Sequence, residues 1–232
     1  MDSIAPELTA PARRRSSSQA ALKAVGFAFT LYVVWIGAWL FDFQLERHIA
    51  WINTDAGQAI YWLIMKLVVW VLPALVLIRM IGGNLADVIG LKSGRSIILW
   101  GGGVGLVLGG IAVATKVVSH NAVPLIHFGW PFFGGVLISP ITEEITFRGA
   151  ILEALKQRYS FTVANLITAI LFLGSHMPGW YFQGRLTFML KNPFGGALTI
   201  LWLGLVFGYV AYRSKSVAAS TLTHFLNNFF SI

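Results

Sequence analysis

The chain has 232 residues, 56% of them hydrophobic and only 11% charged, with nine Trp, no Cys and a net charge of +8. At a mean hydropathy of +0.73 it carries more apolar surface than a soluble domain of this size can bury, which excludes soluble globular and disordered classes. The lack of Cys excludes disulfide frameworks and thiolate metal sites, and the basic residues lie in short loops between apolar runs, which excludes nucleic acid as a partner.

Residues 1–22 are rich in Pro, Ser and Ala, include Arg13, Arg14 and Arg15, and show no hydrophobic period. They are expected to form a flexible cytoplasmic tail, leaving 23–232 as a single transmembrane domain. The run 24–43 has about 20 residues, the length that crosses a hydrocarbon core of about 30 Å at about 1.5 Å per residue. It runs into Asp42, Phe43 and Gln44 with no small-residue cleavage site, so it reads as an uncleaved anchor. Further apolar runs follow at 59–81, 97–118, 130–155, 161–175, 195–212 and 217–232.

The predicted fold class is therefore all-α, a polytopic transmembrane bundle of about seven helices. Segments 136–138 and 199–203 have some strand propensity, but lipid admits only helices or closed barrels, and no alternating pattern supports a barrel. The third run holds Gly101, Gly102, Gly103, Gly105, Gly109 and Gly110. No Lys with Ser or Thr follows to make a phosphate loop, and small residues at such spacings let membrane helices approach closely.

Lys and Arg outside the runs divide unevenly. One side carries Arg13, Arg14, Arg15, Lys23, Arg79, Lys92, Arg95, Arg148, Lys156, Arg158, Arg213 and Lys215, and the other only Arg47, Lys116, Arg185 and Lys191. Basic loops stay in the cytoplasm, so a cytoplasmic N-terminus is expected. Short loops and the lack of a eukaryotic targeting signal favour a bacterial inner (plasma) membrane.

Nine acidic residues occur, and of these only Glu143 and Glu144 fall well inside a run, where an unpaired carboxylate costs several kcal/mol. Arg148 is four residues after Glu144 and shares its helix face, whereas Glu143 points about 100° away, so one carboxylate is paired and the other available. In a hairpin turning near Tyr159 and Ser160, Glu143 and His176 each lie about 16 residues from the turn and reach one depth. His224 and Asn228, four residues apart, share a face of the last run. His48, His120 and His127 fall in loops. Lys66, inside the second run, is expected to snorkel or pair within the bundle, and Trp51, Trp62, Trp100, Trp130 and Trp180 to form interfacial belts.

The segments Glu143-Glu144-x-x-x-Arg148, Phe172-x-x-x-His176 and His224-x-x-x-Asn228, in this order, resemble the CAAX-protease and bacteriocin-processing family, which includes the type II CAAX prenyl endopeptidases. The resemblance covers 130–232 and implies a metal-free, glutamate-dependent intramembrane endopeptidase, without cofactor, acting near the cytoplasmic side or within the bilayer. By that resemblance Glu143 and His176 activate water, His224 and Asn228 hydrogen-bond the oxyanion, and Glu144 and Arg148 hold the site in shape. Its implied partners are membrane lipid and a peptide or protein substrate.

Each element also has a plainer reading. Glu144 with Arg148 makes a structural ion pair, His176 before Pro178 marks an interfacial helix end, and His224 with Asn228 joins helices, as polar residues do in lipid. Two other functions use the same residues: a zinc metallopeptidase with Glu143, His176 and His224 as ligands, and a transporter or non-catalytic scaffold.

Overall fold

The structure is a computed structural model that describes residues 10–91, 94–118 and 128–231. His120, His127 and Lys92 lie outside the described residues. Within them every regular element is helical and no strand occurs, so segments 136–138 and 199–203 are helix.

Helix α1 is Ala10–His48. It starts at Ala10, before the apolar run, so residues 10–22 continue the first helix. Ala, Arg, Gln and Leu make up nine of its thirteen residues and are good helix formers, and its one proline, Pro11, stands in the first turn, where no backbone N–H is needed.

A tight turn over Ala50–Asn53 leads to α2, Asp55–Met80, capped by Thr54, whose hydroxyl accepts from Gly57 N at 3.1 Å. The short α3, Leu85–Ile89, ends on Gly90 at φ +68°, a conformation open to glycine. Helix α4 runs over 94–118 and α5 over 130–156. Ser160 caps α6, Phe161–Phe182. The amphipathic turns of α7, Leu186–Lys191, then lead into α8, Ala197–Ser214, and α9, Val217–Ser231.

Ser18–His48, Asp55–Met80, Leu85–Val118, Phe161–Phe182 and Ala197–Ser214 are long and apolar enough to span a bilayer. Helix α5 is the central post, with Phe147, Arg148, Ala150, Ile151 and Ala154 wholly enclosed. Helix α9, the seventh expected run, is described over 15 residues, Val217–Ser231. Phe29 of α1, Ile98 and Val107 of α4 and Leu198 of α8 present large apolar side chains outward. Such an apolar exterior suits lipid, and the protein is an integral membrane protein.

Glycines set how the helices meet. Gly101, Gly105 and Gly109 recur every four residues along the face of α4 that packs on α9. A Cβ on Gly101 falls 2.6 Å from the Ala219 carbonyl oxygen, one on Gly105 falls 2.6 Å from Leu226 Cδ1, and one on Gly109 collides with the Phe230 ring. Gly102, Gly103 and Gly110 face open space.

Two interior prolines shape the site. Pro73 and Pro140 lack the N–H that closes a helical turn, and each follows a stretch of wider π-helical turns, Lys66–Val71 in α2 and Phe133–Ile138 in α5. Lys66 and Ser139 sit at the edges of these stretches. The third, Pro178, does not end α6, which continues to Phe182. His176 is therefore set inside a helix and not at its end, because an internal proline removes a single hydrogen bond and lipid disfavours unwinding the rest.

Candidate active site

Glu144 sits where three helices converge, with no side-chain exposure. Its carboxylate accepts from Arg148 Nη1 at 2.9 Å and from His224 Nδ1 at 2.9 Å. It also accepts from the Ser220 hydroxyl. Arg148 donates a second bond to the Gly204 carbonyl at 2.8 Å. Its guanidinium lies 4.5 Å from the Phe172 ring centre and 5.4 Å from that of Phe207. The His224 ring stacks on Phe207 at 4.4 Å. Both charges are thus matched by an opposite charge, hydrogen bonds and aromatic faces, which a buried pair requires.

Glu143, a third of a turn away, faces a different environment. Its Oε1 lies 2.7 Å from Lys66 Nζ. Lys66 also donates to Ser139 Oγ at 2.7 Å and stands 5.3 Å from the Trp70 ring centre. The other carboxylate oxygen, Oε2, is 3.9 Å from His224 Nε2. His224 therefore bridges the glutamates, with Nδ1 held by Glu144 and Nε2 turned towards Glu143.

Glu143, Lys66, Ser139 and His176 line one cavity of about 410 Å³. Its walls include Trp35, Trp39, Trp62, Trp70, Trp130 and Trp180, six of the nine Trp. The ring of His176 is oriented by its Nδ1, 2.8 Å from the Phe172 carbonyl oxygen. A carbonyl only accepts, so Nδ1 carries the proton and the other ring nitrogen, Nε2, is left as an acceptor. Helix α1 steadies this part of α6, with Tyr32 donating to the Leu171 carbonyl and Trp35 Nε1 to the Ser175 carbonyl at 3.1 Å.

The sequence-predicted residues are thus brought to one level of the bundle, but not onto one wall. Glu143 and His176 line the cavity, His224 reaches it through Glu143, and Asn228 lies one turn further along α9 with Nδ2 on the Gly135 carbonyl at 3.0 Å. Gly135 is itself part of the cavity wall. The Glu144–Arg148 pair forms as the four-residue spacing indicates.

Sequence reasoning missed Lys66 as a partner of Glu143. A signal was present: Lys66 is about 11 residues into α2 and Glu143 about 13 into α5, and helices entering from the same side put these at one depth. It also missed Ser139 and Ser220, whose hydroxyls carry no hydropathy signal. Trp62 and Trp180, expected in interfacial belts, line the cavity, and Trp180 is only 7% exposed. Trp51 and Trp130 are about half exposed, at 50% and 49%. Among the described residues no group of three or more His, Cys, Asp or Glu side chains is arranged to hold a metal ion.

A bundle of apolar helices that encloses a carboxylate and a histidine in a shared cavity brings together the acid–base groups that hydrolysis of a peptide within a membrane requires. Residues 124–230, just under half of the chain, match the family model described as "Type II CAAX prenyl endopeptidase Rce1-like". The match supports a CAAX-protease-like membrane peptidase. Comparison with curated proteins and with solved structures found no match.

Proposed function

We propose that the protein is a glutamate-dependent endopeptidase that cleaves a membrane-associated protein or peptide within the bilayer of a bacterial inner membrane. The observation that carries this reading is that Glu143 and His176 line one cavity while His224 Nε2 stands 3.9 Å from the far oxygen of Glu143. Glu143 takes a proton from a water molecule, whose oxygen attacks the substrate carbonyl, and His176 Nε2, the free acceptor, helps to hold that water. The carbonyl oxygen becomes an oxyanion that accepts hydrogen bonds from Nε2–H of His224, whose ring carries a proton on both nitrogens, and from the amide of Asn228, one of whose two N–H groups is already used on Gly135. The proton on Glu143 passes to the leaving nitrogen as the C–N bond breaks, and the carboxylate is regenerated.

Glu144 and Arg148 act through His224: by fixing Nδ1 they set where Nε2 points. Lys66 does the same for Glu143, fixing one oxygen so that the other faces the reaction. The mechanism requires no metal.

The test is cleavage of a peptide library by the full chain in detergent, alongside Glu143→Gln. Wild type is expected to cut and Glu143→Gln to lose cleavage while keeping its thermal transition, with a chelator leaving wild-type activity unchanged. Cleavage abolished by chelator and restored by zinc would establish the metallopeptidase instead, no cleavage by either protein would leave a scaffold, and equal cleavage by both would remove Glu143 from the mechanism.

A further inference from the structure

The cavity runs lengthwise through one half of the bundle. Its floor is Glu143 and Lys66, near the middle of α5 and α2, and its walls reach up to Asp55, Trp130 and Gln183, where α2 and α5 begin and α6 has just ended. These three rim residues are exposed. The mouth is therefore at the end of the bundle that holds the 49–54 turn and the 183–196 connection.

The opposite end is tied together by Lys23 Nζ on the Met80 carbonyl at 3.0 Å, Gln157 on the Ile81 carbonyl at 3.0 Å and Ser216 on the Ile89 carbonyl at 2.9 Å. That closed end gathers Lys23, Arg79, Arg95, Lys156, Arg158, Arg213 and Lys215. The mouth end has only Arg47, Lys116, Arg185 and Lys191. Such asymmetry in short loops orients a membrane protein with its basic end in the cytoplasm.

We propose that the cavity opens to the extracytoplasmic side of the membrane, and that the substrate is an unfolded tail of a membrane-anchored polypeptide presented there. Geometry supplies the second half of this statement. From Trp130 down to Glu143 is about 13 residues of helix, or about 20 Å. An extended chain covers about 3.3 Å per residue, so about six residues must thread in before a peptide bond meets Glu143. A folded domain is too wide to do so. The Trp-rich wall favours apolar side chains in those six positions.

The chemistry in this proposal rests on the peptidase reading, but the orientation stands on charge and topology alone. The chain has no Cys, so single-Cys variants of the full chain report each end directly. Gln183→Cys, at the mouth, and Arg158→Cys, at the closed end, are treated with a membrane-impermeant maleimide in intact spheroplasts, after permeabilisation, and in detergent, where both must label. Gln183→Cys is expected to label in intact spheroplasts and Arg158→Cys only once the membrane is opened. Labelling of Arg158→Cys in intact spheroplasts, or of Gln183→Cys only after permeabilisation, overturns the proposal.

A second arm uses a peptide cut by the purified protein, fused as a tail to a single-span anchor on either side of the membrane. Cleavage of the outer tail alone is expected, and cleavage of the inner tail overturns the proposal while leaving the peptidase intact. If the purified protein cuts no peptide, the peptidase reading fails, and the labelling still decides the orientation.

Discussion

Glu144 is enclosed by Arg148, Ser220 and His224 with no exposure, whereas Glu143, next to it on α5, shares a cavity with Lys66, Ser139 and His176. The two carboxylates have the same chemistry and nearly the same depth. What separates them is about 100° of helix rotation, which aims one into a packed junction and the other into a space large enough for substrate. Full satisfaction of a buried charge makes it a structural element, and incomplete satisfaction beside a cavity makes it available for reaction.

This contrast makes graded predictions. The largest effect belongs to Glu143→Gln, which is expected to lower kcat by about 10²–10⁴-fold, the range for losing a general base, with little change in the unfolding transition. Glu144→Gln is expected to do the reverse in character. Leaving Arg148 without its countercharge costs about 3–5 kcal/mol, measured as a lowered thermal transition and poor recovery in detergent. A Glu144→Gln protein as stable as wild type would erase the distinction between the two sites.

A finer probe is the Lys66–Glu143 pair. Lys66→Met alone leaves a carboxylate of 8% exposure without its cation and is expected to lower stability, while the double variant Lys66→Met with Glu143→Gln regains most of the loss. The non-additivity, expected at about 0.5–3 kcal/mol in a double-mutant cycle, measures the coupling directly. The smallest effect is at a distance: Gly105→Ala puts a methyl 2.6 Å from Leu226 Cδ1 and is expected to cost about 1–3 kcal/mol by overpacking.

Much of this arrangement was legible in the sequence, because lipid makes polarity costly and so every buried charge carries information. The length of the apolar runs gave the helices, the four-residue spacing gave the Glu144–Arg148 pair, and equal distances from the Tyr159–Ser160 turn gave the shared depth of Glu143 and His176. What stayed hidden depended on rotation and on neighbours far along the chain. Nothing local shows that Lys66 on α2 turns towards Ser139 on α5, or that Asn228 spends an amide hydrogen on the Gly135 carbonyl. The start of α1 at Ala10 is not marked by an apolar period, because the helix-forming residues before the apolar run carry none.

The glycine seam of α4 has a consequence beyond close packing. Gly101, Gly105 and Gly109 form a keyway along which α9 is seated, with Thr223 Oγ1 fastened to the Gly101 carbonyl at 3.1 Å, one residue before His224. A shaft held in a keyway cannot turn, so the aim of the His224 ring is fixed by a helix that offers no reactive group and lies outside residues 124–230. The front half of the chain thereby acts as the jig that holds the working half in alignment.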